Sequence, residues 1–162
     1  MNIDKIVEVI SSIYNRVQND PYELKHLLTL NEQKPEISFS LCKHSFLPYQ
    51  MFDEYYFNNN FRINKHIIRI PEKIIKNICT YNSHNGISVE EYCDYTGKKL
   101  SELKQSDYIT AIAVHELSHV FQLYIQDYNT EEDHTEEFYD VLEGFYCSDT
   151  VKELEYNLRT YL

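Results

Sequence analysis

The sequence Tyr108-Ile-Thr-Ala-Ile-Ala-Val-His-Glu-Leu-Ser-His-Val-Phe-Gln-Leu-Tyr-Ile125 is apolar around most of a helix and carries the motif His-Glu-x-x-His at 115–119. Positions i and i+4 of an α-helix lie on the same face, so His115 and His119 can present imidazole nitrogens to one metal ion. Glu116 adjoins the first histidine and can reach a water molecule at that ion. The motif predicts Zn²⁺ bound by His115 and His119, with Glu116 as general base.

The apolar surroundings of the motif favour this interpretation. A helix that is apolar on most sides is packed inside a domain, and ionisable groups buried there need partners. Two hydrogen-bonded core histidines beside an ion-paired glutamate would be a purely structural alternative. A metal ion accounts for all three groups at once, so we expect a metal site.

Composition limits the classes of protein that remain. A chain of 162 residues is long enough for one domain with a core, and we expect a single domain over residues 1–162. The net charge of -11 argues against nucleic acid as a partner. No apolar run is long enough for a membrane span, and the N-terminal residues lack the pattern of a secretory signal, which predicts a cytoplasmic location. The cysteines form no C-x-x-C pair and are expected to be free thiols: Cys42, Cys79, Cys93 and Cys147.

Periodicity predicts an α+β fold, in which a small mixed sheet packs on the central His-Glu-x-x-His helix and further helices lie at both ends. Residues 44–60 are expected to be irregular or to form a hairpin. Capping-box patterns at Ser88/Glu91, Asp133/Glu136 and Thr150/Glu153 predict three helix starts. The predicted helices are 3–18, 22–30, 71–80, a short one opened by Ser88, 106–127, 134–147 and one from Thr150, and the predicted strands are 37–41 and 61–70.

A catalytic zinc ion needs a third protein ligand. The compact extension of the motif would place a histidine at position 125, where the chain has Ile125. His134 follows a polar segment that can turn the chain back, and we expect it in the first turn of the next helix, which Phe138 and Leu142 anchor on the core. Glu143 is the alternative third ligand, because it lies on a mostly apolar stretch where a carboxylate needs a partner. Zinc accepts either ligand, and we favour His134.

Over about residues 61–145 the chain resembles the SprT-like zinc metallopeptidases. The resemblance rests on an apolar alternation ending at Pro71, the His-Glu-Leu-Ser-His helix, and His134 followed four residues later by Phe138. It implies a minimal zincin fold with His115, His119 and His134 as zinc ligands. The paired cysteines of a C-terminal zinc ribbon, present in many members, are missing here. The second resemblance is to gluzincins, in which Glu143 would be the third ligand.

These residues predict a zinc-dependent peptidase acting on a protein or peptide substrate. Glu116 would take a proton from water and pass it to the leaving amine, and His84 or Tyr146 are candidates for stabilising the oxyanion. A non-catalytic interaction domain stabilised by zinc is the alternative from another class. A third possibility is an acidic partner-binding protein in which the motif is coincidental.

Overall fold

The computed structural model describes residues 3–19, 36–42, 49–57, 60–71, 86–125 and 134–162. Its helices, numbered along the chain, are α1 (Ile3–Asn19), α2 (Gly86–Thr96), α3 (Gln105–Ile125), α4 (Glu136–Cys147) and α5 (Asp149–Tyr161), with a short 3₁₀ turn at Leu100–Glu102 between α2 and α3.

Helix α3 lies at the centre because it is apolar on nearly every side. It packs against α2, α4 and α5, while α1 packs against α5. A side chain such as Phe121, only 1% exposed, contributes about 1.5–3 kcal/mol through burial. The described core consists of helical residues: Ile6, Ile10, Val89, Tyr92, Ile109, Ala111, Ile112, Ala113, Val114, Leu117, Phe121, Phe138, Val141, Leu142, Phe145, Val151, Leu154 and Leu158.

Local sequence features set where the helices begin and end. Gly97 follows α2 with φ +70, and its N–H donates to the carbonyl of Cys93 at 2.8 Å, the left-handed C-terminal cap that glycine favours. At the start of α3, the carboxylate of Asp107 accepts a hydrogen bond from the backbone N–H of Lys104 at 2.6 Å. Ser148 caps α5 by accepting from the N–H of Thr150 at 3.2 Å. The capping box predicted at Thr150 is therefore wrong by two residues.

Three segments pair as strands through their backbones: β1 (Glu36–Cys42), β2 (Tyr49–Phe57) and β3 (Asn60–Pro71). Their order is β1-β3-β2, with β3 parallel to β1 and antiparallel to β2. The strands predicted over 37–41 and 61–70 lie within β1 and β3. Pro71 ends β3 rather than beginning a helix.

The predicted α+β fold is nevertheless wrong as a description of the packed domain. In the part of the chain whose side-chain packing the structure describes, nearly all residues (87%) are helical, in five helices, and the paired strands contribute no residue to the described core. The prediction assumed that a sheet covers the central helix. In the described core, neighbouring amphipathic helices cover α3 instead, because a helix that is apolar all round can be buried by any elements with apolar faces.

Several predictions fall outside the described residues. These are the helix over 22–30, residues 72–80 of the helix predicted over 71–80, and the polar segment 127–133 that precedes His134. Within the described part of the chain, no helix combines the length and the apolar character needed to cross a membrane. Cys93 and Cys147 are free thiols, as predicted for them.

Candidate metal centre

Three histidines from two parts of the chain lie close enough together to hold a metal ion. His115 and His119 are one turn apart on α3, and His134 comes from the residues that lead into α4. The Nε2 atom of His115 lies 3.2 Å from Nε2 of His119 and 3.3 Å from Nε2 of His134. One ligand atom from each histidine lies within 4.8 Å of the others. We call these three residues the histidine cluster.

The spacing of these nitrogens fits metal coordination. In a tetrahedral zinc site with Zn–N distances of about 2.0–2.1 Å, two ligand nitrogens are about 3.3 Å apart. The two printed Nε2 separations, 3.2 Å and 3.3 Å, have this value. The prediction that three histidines come together is therefore supported by these distances.

The far side of the His115 ring is held by a buried carboxylate. Nδ1 of His115 lies 2.7 Å from Oε2 of Glu91 on α2, and the Glu91 side chain is 11% exposed. A carboxylate only accepts hydrogen bonds, so the proton of a neutral His115 lies on Nδ1. The lone pair of Nε2 then points into the histidine cluster.

His119 is held in the same manner by an amide. Its Nδ1 lies 3.1 Å from Oε1 of Gln122, and Nε2 of Gln122 donates to Oγ1 of Thr135 at 3.2 Å. Thr135 follows His134 directly. Gln122 therefore connects one proposed ligand on α3 to the backbone that carries another.

These hydrogen bonds show that the donor set suits a cation. With Nδ1 as the donor in both rings, the neutral forms of His115 and His119 direct two Nε2 lone pairs at each other across 3.2 Å. Two acceptors at this distance have no hydrogen to share. A metal ion between them would bind both lone pairs. Metal-binding imidazoles are usually oriented by a hydrogen bond at their other ring nitrogen.

An aromatic ring forms an apolar wall beside the cluster. Phe138 is 0% exposed, and its ring centroid lies 5.1 Å from that of His115, 4.4 Å from that of His119 and 4.8 Å from that of His134. Packing against one rigid ring restricts the rotation of all three imidazoles. Phe138 therefore helps to keep the cluster in a single arrangement.

Glu116, the predicted general base, is half-buried next to His115 on α3. Burial raises the pKa of its carboxyl group, and the nearby His115 acts in the opposite direction with a smaller effect. A carboxylate whose pKa is raised is a better proton acceptor than one in water.

Two other predicted site residues, Glu143 and Tyr146, are not members of the histidine cluster. Glu143 is exposed on α4 and is not part of the cluster found among the described residues. Tyr146 is mostly buried and stacks on Tyr95 with centroids 4.7 Å apart. Burial, and to a smaller extent the charge of Glu91, raise the pKa of Tyr146. His84 lies outside the described residues.

Two capping predictions at the site are corrected. Helix α2 begins at Gly86, so Ser88 lies inside it and Glu91 contacts His115 instead of closing a capping box. The N-cap of α4 is Thr135, so His134 precedes the helix rather than lying in its first turn. Short polar residues near a helix start suggest caps from sequence alone, but tertiary contacts decide where their side chains go.

Sequence reasoning missed Glu91 and Gln122 as the residues that contact Nδ1 of His115 and of His119. Gln122 is three residues after His119, a spacing at which helical side chains meet, so it could have been found. Glu91 lies 24 residues before His115. Only the packing of α2 on α3 brings these two together.

A second polar group, partly buried, adjoins the first one and begins at the residue after Glu91. We call it the charge cluster, and its members are Tyr92, Lys98, Asp107, Glu155 and Arg159. The Nζ atom of Lys98 lies 3.0 Å from a carboxylate oxygen of Asp107 and 3.0 Å from one of Glu155. The hydroxyl of Tyr92 lies 2.9 Å from Asp107 and also contacts Glu155. These bonds tie α2, α3 and α5 together.

Comparison with known proteins gives no match to any family model, to any curated protein or to any solved structure. The resemblance to SprT-like metallopeptidases therefore stays a prediction carried by the motifs. What the structure establishes is coarser: three histidines, His115, His119 and His134, lie close enough to hold a metal ion.

Proposed function

We propose that this protein is a zinc-dependent peptidase, with His115, His119 and His134 as the metal ligands and Glu116 as the general base. The proposal is carried by Nε2 of His115, which lies at coordination spacing from Nε2 of both His119 and His134, beside a carboxylate in the His-Glu-x-x-His motif. Three protein ligands with a fourth position left for water or substrate are the usual arrangement of a catalytic zinc site.

The chemistry divides between the ion and the chain. Zinc supplies Lewis acidity, which polarises a carbonyl group and makes water more acidic. Glu116 accepts the proton of the attacking water and delivers it to the leaving amine. Glu91 and Gln122 hold His115 and His119 in the orientation that the ligand role needs, and Phe138 limits their movement.

Access to the site favours a peptide as substrate. His134 is exposed, so the histidine cluster reaches the protein surface instead of being closed inside the core. The net charge of -11 disfavours the phosphate backbone of a nucleic acid. A protein or peptide is the substrate class that agrees with both observations.

The test compares Glu116→Gln with the parent chain. We expect the variant to bind zinc with unchanged stoichiometry and to lose about 10²–10⁴-fold in hydrolysis. Metal content is measured by mass spectrometry, and hydrolysis by release of fluorescence from a labelled unfolded protein, with and without a chelator. Glu102→Gln is the matched control, because Glu102 is exposed on the 3₁₀ turn. Full activity in Glu116→Gln would refute the mechanism.

A non-catalytic zinc domain is the second candidate. The observation in its favour is that the ligands come from α3 and from the segment leading into α4, so an ion would tie two helices together and contribute to folding. Such a protein would bind zinc, melt at a lower temperature after chelation, and hydrolyse nothing. The same pair of measurements therefore separates the two candidates.

A further inference from the structure

Glu91 has features that its place in the sequence does not suggest. It lies in the middle of α2, is buried, and has a carboxylate whose Oε2 atom is 2.7 Å from Nδ1 of His115. Its second oxygen, Oε1, has no hydrogen-bond partner among the described residues. A buried carboxylate with so few partners is costly, so a role at the adjoining site is the natural explanation.

We propose that Glu91 is a positioning residue for the metal centre, an inference that rests on the zinc site of the proposed function. By accepting the hydrogen bond from Nδ1–H of His115, it selects the tautomer that leaves Nε2 for the metal. Its negative charge makes the imidazole a stronger ligand and offsets part of the positive charge of a divalent ion. Partners of this kind typically change metal affinity by about 10–100-fold.

The neighbouring residue shows how Glu91 is kept in place. Tyr92 is 0% exposed, and its hydroxyl is engaged with Asp107 on α3 and Glu155 on α5. Helix α2 is thus anchored to α3 one residue away from Glu91. The carboxylate can hold the His115 ring firmly because its own backbone is held by the charge cluster.

The two histidines on α3 also differ in their supports. Gln122 gives His119 a neutral acceptor from the same helix, whereas Glu91 gives His115 a charged acceptor from another helix. His115 is also the histidine whose Nε2 lies 3.2 Å and 3.3 Å from those of the other two. The charged acceptor, Glu91, therefore contacts the histidine at the centre of the cluster, His115.

The experiment measures zinc affinity of the full chain by competition with a chromophoric chelator. Glu91→Gln keeps an acceptor oxygen but removes the charge, and we expect about tenfold weaker binding; Glu91→Ala removes both, and we expect up to about 100-fold. Glu90→Gln is the control, because Glu90 is the adjacent, exposed residue of α2, and its affinity should stay within about twofold of the parent value.

The melting temperature of each apo-protein shows whether the variant is folded. If Glu91→Ala unfolds, the nearly isosteric Glu91→Gln decides. Zinc binding by a folded Glu91→Gln protein within about twofold of the parent would overturn the proposal for Glu91. Because affinity is measured without any substrate, a parent chain that binds zinc and hydrolyses nothing would refute the peptidase function alone. A parent chain that binds no zinc would refute both proposals.

Discussion

The histidine cluster and the charge cluster are two polar groups in one helical core, and they differ in how their members satisfy each other. In the charge cluster, two carboxylates face two cations and a phenol: Asp107 and Glu155 against Lys98, Arg159 and Tyr92. In the histidine cluster, hydrogen bonds at the Nδ1 atoms of His115 and His119 orient the Nε2 lone pairs of the two rings towards each other. The first group contains both signs of charge, and the second has acceptors facing acceptors.

This difference separates a structural role from a binding role. A polar group whose charges are matched by partners from the same chain holds helices in a defined arrangement. A group whose acceptor atoms converge is suited to binding a cation from outside. The two clusters share helix α2, where Glu91 belongs to one and Tyr92 to the other, so the structural group supports the binding group.

The largest expected effect is on zinc binding when a ligand is removed. Structural zinc sites bind with about 10–16 kcal/mol in total, so one of several ligands accounts for a loss on the order of a thousand-fold. We expect that loss for His134→Ala, whereas Glu143→Ala should leave affinity unchanged, since Glu143 is exposed away from the cluster. Chelator competition measures both. The reverse result would identify Glu143 as the third ligand and support the gluzincin resemblance.

A smaller effect is expected on stability when the charge cluster loses a carboxylate. Asp107 is 2% exposed and accepts hydrogen bonds from charged Lys98 and from Tyr92. Hydrogen bonds to charged groups contribute about 1.5–3 kcal/mol, so Asp107→Asn should lower the free energy of unfolding of the zinc-free protein by about 2 kcal/mol. Urea denaturation measures the change, with the exposed Asp140→Asn as control. An equal stability of parent and Asp107→Asn would show that the cluster is not structural.

The smallest expected effect is a pH dependence of the difference in free energy of unfolding between the parent chain and Asp107→Asn. Burial alone would raise the pKa of Asp107, but hydrogen bonds from the Lys104 backbone, Lys98 and Tyr92 outweigh it, so the pKa lies below the ordinary 3.8. A group with a lowered folded pKa stabilises the protein fully above its unfolded pKa and loses this contribution as pH falls through its folded pKa. The stability gap between parent and Asp107→Asn should therefore be constant near neutral pH and narrow below about pH 4. A gap that widens on acidification would contradict the assignment.

Much of the candidate site could be predicted from sequence because it depends on helical periodicity. The pairing of His115 with His119 follows from their spacing, and His134 was favoured because a polar segment can return the chain to the core. Glu91 could not be found, since a capping box explained the Ser88/Glu91 pattern equally well. The packing partners of α3 were also predicted incorrectly, because an apolar helix surface does not specify whether a sheet or helices cover it.

The sequence by itself determined the pairing of His115 with His119, the adjacent Glu116 and the helical character of α3, since each depends on residues within a turn or two of one another. Tertiary structure alone decided which third residue joins the pair, which carboxylate supports His115, and what surrounds α3. Those contacts join residues far apart in the chain, and they arise when apolar faces from different segments pack together. The hydrophobic effect is non-directional. An apolar pattern in the sequence therefore indicates that a helix surface is buried, but it does not indicate which elements bury it.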